Sequence, residues 1–389
     1  MEQRDTEKQL KYRQLGLRAV YLAACALHDQ CPQGDWQQDL ESLYRFCKFH
    51  SITAIAAMAL EKVWRTAPAD DNAMKQWRQA RDKAIRKNVL LNAERQRIMD
   101  WMESIGCWYM PLKGSLLQFD YPQFGMRQMS DNDILCDSTK SEEIYSFMLE
   151  NGYSCELHNQ GNHDEFVRQP VYNFEIHRTL FKPETAPELA AYYADIHQRS
   201  RKDPNNGFGY HLRDEDFYIY LTAHAYRHFV VSGIGIRNLM DVYIYLEKHG
   251  AGLDWDYIQG ELTQLGAWDF ECWCRRMSKA LFGEPNLAPE LSDADLAVLD
   301  AFFASGTFGT EEQLLRKAME ANSGKKGNKA GYFLRRVFPS GEMLGVMYPI
   351  VRGRPWLVPF VWVYRLVISV FKRPARVLRE LKSFFRKYK

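Results

Sequence analysis

Between residues 107 and 177 the hydrophobic pattern changes period, and this limits the fold more than any other feature. Upstream, apolar residues follow a helical spacing. Leu91, Ile98 and Ile105 recur every seven residues, Ile85, Val89, Trp101 and Met102 join them, and Arg95 and Arg97 fall between. Gly106 then stops the helix. Short runs with strand chemistry follow at 107–112, 131–136, 153–157, 165–167 and 172–177, the first weakened by Pro111. Among them lie one or two helical turns at 116–117, a loop at 119–125, and a helix over 138–151. Ser138 or Ser141 can cap that helix, and Asn151-Gly152 ends it. The pattern predicts an α+β chain: a small mixed sheet flanked by N-terminal and C-terminal helical regions.

Helical patterns fill 7–105, 214–246 and 254–321, and no internal repeat is visible. The segment 322–331, NSGKKGNKAG, reads as a hinge or flexible loop. Four regions are therefore expected: 1–85, 86–200, 201–321 and 322–389. The eight cysteines are scattered, and Cys272-Trp273-Cys274 lacks the spacing of a zinc knuckle, so buried free thiols in a reducing cytosol are expected. The charged start MEQRDTEKQLKYRQ does not read as a secretory signal.

The net charge of +2 conceals an asymmetry. Residues 331–389 carry 13 Lys+Arg against 2 Asp+Glu, a net of +11, which leaves 38 against 47, a net of −9, in residues 1–330. The apolar run 356–371 contains Arg365 and is shorter than the ~20 residues of a bilayer span. From 359 to 389 apolar and basic stripes alternate at helical spacing, broken at Pro374. Such a tail packs on its own body, lies on an anionic membrane surface, or binds a polyanion such as nucleic acid. The expected location is cytoplasmic, peripheral to the inner membrane face if the tail docks there.

One pair of residues carries the chemistry. On a strand, Asp131 and Asp133 share a face about 6–7 Å apart. Two carboxylates so placed can hold a divalent ion, Mg²⁺ or Mn²⁺, for phosphoryl chemistry. Glu175, in NFEIHRTL, is the expected third carboxylate; Phe174 and Ile176 then point into the core, and His177 shares the face of Glu175. Gly114-Ser115 follows a strand and can approach a phosphate, with Lys113 and Arg127 supplying positive charge. Taken alone, an Asp-x-Asp or a Gly-Ser is a common turn or cap. The succession strand, Gly-Ser, helix, Asp-x-Asp strand and later carboxylate strand is far more specific.

The run PLKGSLL … MRQMSDNDIL … NGY … FEIHRTL resembles the uncharacterised nucleotidyltransferase family of the DNA polymerase β-like superfamily. The resemblance covers roughly residues 85–250, where AHAYRHFVVSGIGIRNLMDV matches a later helical segment bearing His224, His228, Arg237 and Asp241; RRVFPSGEML…YP is similar to the family's C-terminal region. It implies Asp131, Asp133 and Glu175 as metal ligands, Gly114-Ser115 as the nucleotide-phosphate contact, Lys113 and Arg127 as further phosphate contacts, and 201–321 as a helical domain closing the nucleotide cleft. Three departures stand out. The spacing from Ser115 to Asp131 is long, so 119–129 must fold away from the site. Asn132 replaces an apolar residue, which predicts a less buried strand face. Glu175 stands where many relatives use Asp.

His224 and His228 stand four apart, but Ala225 occupies the glutamate position of a zinc protease motif. Zinc binding, structural hydrogen bonding to Asp241 or a neighbour, and contact with substrate together with Arg237 remain open. The leading expectation is transfer of a nucleoside monophosphate from a nucleoside triphosphate to an unknown acceptor, with loss of pyrophosphate. The competing readings are a non-catalytic binding or assembly module of the same fold and a kinase-like phosphotransferase.

Overall fold

The computed structural model describes residues 2–36, 39–307, 309, 344, 351, 354–362 and 364. The hinge at 322–331 and nearly all of the basic tail lie outside the described residues. Within Thr310–Lys389, Pro355–Leu357 form a 3-10 turn. No helix among the described residues is long and apolar enough to cross a membrane.

The fold is α+β. Helices α1 (Glu2–Leu27), α2 (Leu40–Phe49), α3 (Thr53–Trp64) and α4 (Asp71–Ser104) come first. Asp70 caps α4, accepting from the Asn72 and Ala73 amides, and Gly106, at φ 66°, turns the chain after it. Leu91, Ile98 and Met102 are buried as the spacing predicts, whereas Val89 is 53% exposed, so the apolar stripe of α4 is narrower than its sequence suggests.

Next come β1 (Tyr109–Pro111), α5 (Gly114–Leu117), β2 (Asn132–Cys136), α6 (Ser141–Glu150), β3 (Ser154–Cys155), β4 (His163–Arg168) and β5 (Tyr172–His177). The helix cap differs from expectation. Asp137, not a serine, accepts the Thr139 amide at 2.9 Å, and a short 3-10 turn precedes α6. The five strands form one mixed sheet in the order β1-β2-β5-β4-β3, with β2 and β5 parallel and the other pairs antiparallel. Then follow α7 (Pro187–Tyr192), a small hairpin of β6 (Ser200–Lys202) and β7 (Tyr210–Leu212), and α8 (Asp214–Val231), α9 (Arg237–His249), α10 (Trp255–Gln264), α11 (Trp268–Phe282) and α12 (Asp293–Ser305).

Met1–Phe229 with Ile234–Gly309 form one compact unit, and it contains three apolar cores. One lies among α1, α2, α3, α9, α11 and α12. A second packs α4 and α6 on one sheet face through Ile134, Phe166, Phe174 and Ile176. The third sets Met110 and Leu135, from the other sheet face, against α8 and α10. The strand alternation of β5 thus holds: its even-numbered residues enter the core, and Glu175 and His177 face the other way. All eight cysteines are free thiols; five are buried and Cys31 is exposed.

The helical core contains His50, fully buried, its Nε2 3.0 Å from the Phe303 carbonyl. A carbonyl only accepts, so Nε2 carries the proton. Burial pushes the His50 pKa down to about 4, against a smaller upward pull from that hydrogen bond. The folded value lies below the unfolded one of about 6.5, so the unfolded chain takes up the proton first, and stability falls as pH drops from 6.5 toward 4. Between pH 7 and pH 5 this one residue is expected to withdraw about 2 kcal/mol. Urea midpoints of the protein and of His50→Asn at the two pH values check it; equal acid losses in both would refute the assignment.

Candidate functional site

The sheet face turned toward α8 brings together Asp133, Glu175 and His177 from β2 and β5. Asp133 and Glu175 are register partners across the parallel pair, as His177 is of Leu135. Neighbouring strands lie about 4.8 Å apart, so the two carboxylates stand side by side. Asp131 immediately precedes β2 and is half-buried at its mouth. Asp133 is almost fully buried; its Oδ1 accepts from Lys113 Nζ at 2.8 Å and faces His177 Nε2 at 3.0 Å. His177 Nε2 also lies 3.4 Å from Glu175 Oε2.

Burial alone would raise the Asp133 carboxyl, but the Lys113 ammonium and the His177 hydrogen bond outweigh it and hold the group far below the usual carboxylate range. Asp131 moves the other way, to about 6, because burial and the negative charges of Asp133 and Glu175 outweigh Lys113 and Arg237. For His177 burial acts downward, yet hydrogen bonds to Asp133 and Glu175 leave its pKa raised.

Lys113 has φ 49° and ψ −122°, a strained backbone for a residue with a side chain. That conformation accompanies the turn from β1 into α5 and sets the ammonium over Asp133. Tyr220, buried on α8, lies close enough to feel the charge of the same ammonium. One turn further along α8, His224 feels the charges of Lys113, Asp133 and His177, and His228 packs on it with ring centroids 4.5 Å apart. Burial and then Lys113 depress both histidines, His228 to about 4. The α8 histidines therefore line the Lys113 side of the site as neutral rings. Asp241, one expected partner, is engaged elsewhere.

Ser115 and Arg127 both have protein partners in this structure. The Ser115 hydroxyl is buried and donates to the Leu112 carbonyl at 2.6 Å. Arg127 is buried and grips Asp241 with two hydrogen bonds, Nε to Oδ1 at 2.8 Å and Nη2 to Oδ2 at 2.9 Å, while the Tyr121 hydroxyl donates to Asp241 Oδ1 at 2.7 Å. Arg237 donates to the Gln128 carbonyl at 3.0 Å and also influences Asp131. With Asn88 binding the Arg127 carbonyl at 2.8 Å and Lys87 the Ser130 carbonyl at 2.8 Å, these contacts pin 119–130 between α4 and α9. This is how the long segment leaves the site clear and still delivers Asp131 to the mouth of β2.

Gly114 has a steric reason here: a Cβ at that position would stand 2.1 Å from Arg127 Nη1. Asp241 holds that guanidinium and limits its retreat. Gly114→Ala is expected to lose about 1–3 kcal/mol, read as a lower urea midpoint. An unchanged midpoint would show that Arg127 yields freely.

Asn132 also departs from expectation. It is fully buried, and its Oδ1 accepts from Arg95 Nη1 at 2.8 Å. The polar residue between the aspartates ties β2 to α4 and does not loosen that face. Burial lowers the Arg95 pKa to about 10.

Two residues of the cluster were not anticipated. Tyr220 gives no signal in a helical pattern. His163 stands across from His177 in the antiparallel β4–β5 pair. The strand reading began at Glu165, two residues late; extending the hairpin register outward from its turn would have found it.

The sequence profile of the uncharacterised nucleotidyltransferase family matches residues 13–283. Among solved structures, an antigenic nucleotidyltransferase-like protein from Paracoccidioides brasiliensis aligns at 10% identity over 51% of this chain and 93% of that chain, with a TM-score of 0.33. No curated protein matches the chain. With the profile spanning more than half of its length, the chain belongs to the uncharacterised nucleotidyltransferase family.

Proposed function

We propose that the protein transfers a nucleoside monophosphate from a nucleoside triphosphate to an acceptor hydroxyl or phosphate, in a reaction that depends on a divalent metal and releases pyrophosphate. The observation that carries this reading is the side-by-side pairing of Asp133 and Glu175 on parallel strands, with Asp131 just ahead. The donor set fits a divalent cation. Its oxygen ligands suit Mg²⁺ or Mn²⁺, and the raised pKa of Asp131 reflects, after burial, a repulsion that a cation would relieve. Asp131, Asp133 and Glu175 would hold the ion, which when bound neutralises phosphate charge and makes an attacking hydroxyl more acidic.

The protein's own groups do the rest. Lys113, whose ammonium bonds Asp133 here, would offer it to a phosphate oxygen. Arg237, beside Asp131, adds positive charge at the mouth, and the His224–His228 face of α8 forms the opposing wall. The acceptor oxygen bonds to the α-phosphorus and loses its proton to solvent. The bond to the oxygen bridging α and β breaks, and pyrophosphate leaves with the electron pair.

A thermal-shift panel of nucleoside triphosphates tests this. Stabilisation is expected only with Mg²⁺ or Mn²⁺, and reaches about 2.7 kcal/mol at a hundredfold excess over Kd. No shift with any triphosphate would overturn the reading, as would release of nucleoside diphosphate in place of pyrophosphate.

A further inference from the structure

We propose that His163, Glu175 and His177 form a binding site for a first-row transition-metal dication, of the Mn²⁺, Co²⁺ or Zn²⁺ class, at the edge of the carboxylate cluster. Each residue offers one ligand atom, and these atoms lie within 4.8 Å of one another. Glu175 Oε2 is the hub, 3.4 Å from His177 Nε2 and 3.9 Å from His163 Nε2. Donors around a tetrahedral ion with metal–nitrogen bonds of about 2.0–2.1 Å stand roughly 3.4 Å apart. The His177–Glu175 edge already has that spacing. His163, whose side chain is 30% exposed, needs only a modest rotation to close the other edges.

Ordinary packing does not account for the pair. The β4–β5 register sets the two rings beside each other, tilted by 46° with centroids 4.8 Å apart. His163 Nδ1 is buried and makes no hydrogen bond, and 3.9 Å is too long for one from Nε2 to Glu175. Two imidazoles and one carboxylate disfavour Mg²⁺, which prefers oxygen and water, and favour borderline transition ions. A metal on His177 Nε2 replaces the proton now shared with Asp133 and releases it to solvent. Asp133 Oδ1, 3.0 Å from that nitrogen, is then placed to serve as a fourth donor. The site is defined by its two imidazoles and does not require nucleotidyl transfer, although Glu175 and Asp133 serve both.

The test uses tag-free full-length protein, stripped with a chelator and titrated with Co²⁺ while its visible spectrum is followed. The native chain is expected to show the intense bands of a nitrogen-ligated, low-coordinate ion, displaced by Zn²⁺. Binding is expected to weaken at least tenfold in both His163→Ala and His163→Gln, with circular dichroism unchanged. Asp131→Asn should keep the cobalt bands while losing stabilisation by Mg²⁺ and triphosphate. Equal cobalt affinity in both His163 variants, or a spectrum of oxygen-only octahedral coordination, overturns the site. Cobalt bands in a native chain that no triphosphate stabilises would support the metal site and sink only the transfer reading.

Discussion

Asp241→Ala is expected to lower the unfolding free energy by about 3–5 kcal/mol, because it leaves the buried Arg127 guanidinium without its counter-ion. The Tyr121 hydroxyl loses its acceptor in the same stroke. A domain has only about 5–15 kcal/mol in hand, so the variant should unfold at markedly lower urea concentration. Replacing both partners, as Arg127→Met with Asp241→Leu, should recover more than half of the loss, since the penalty lies in the stranded charge. A loss below about 1 kcal/mol for the single variant would mean that water already solvates Arg127. The double variant also asks what the pair does for the site. Asp131 follows directly from the segment that Arg127 anchors, so catalysis should remain impaired where stability has been restored.

Asp133→Asn is expected to reduce turnover by at least about 10²–10³-fold while preserving the fold. Asparagine keeps the shape and can still accept from Lys113, but it removes the negative charge that a cation needs. The loss should therefore fall on the chemical step and on the metal concentration required for half-maximal rate. A melting temperature near that of the parent protein separates this from collapse of the buried Lys113 contact. Retained turnover at saturating Mg²⁺ would show that Asp133 serves only as the anchor of Lys113 and His177.

The strands were legible because their alternation survives in the structure. Phe174 and Ile176 go to the core, and Glu175 emerges beside Asp133. The carboxylate cluster was legible for the same reason: period and order fix which residues share a face. Partners distant in sequence were not. Arg127 and Asp241 are 114 positions apart, and each alone reads as a surface charge or a substrate contact. Asn132 looked like a weak point in a core strand because nothing local announces that Arg95, on a different element, will meet it. Val89 shows the converse limit. Helical periodicity says which residues lie on a stripe, but only the packing of neighbours decides how wide a stripe is covered.

The strand order has a consequence for the newly made chain. β5 is the last strand of the sheet to be synthesised, yet it lies in the middle, between β2 and β4. Until residue 177 has cleared the ribosome and β5 has slotted in, Asp133 has no carboxylate beside it, and β4 and β3 have no route of attachment to β2. A chain that stops short of β5 therefore lacks the paired carboxylates: the cluster comes into being only with the closing of the sheet.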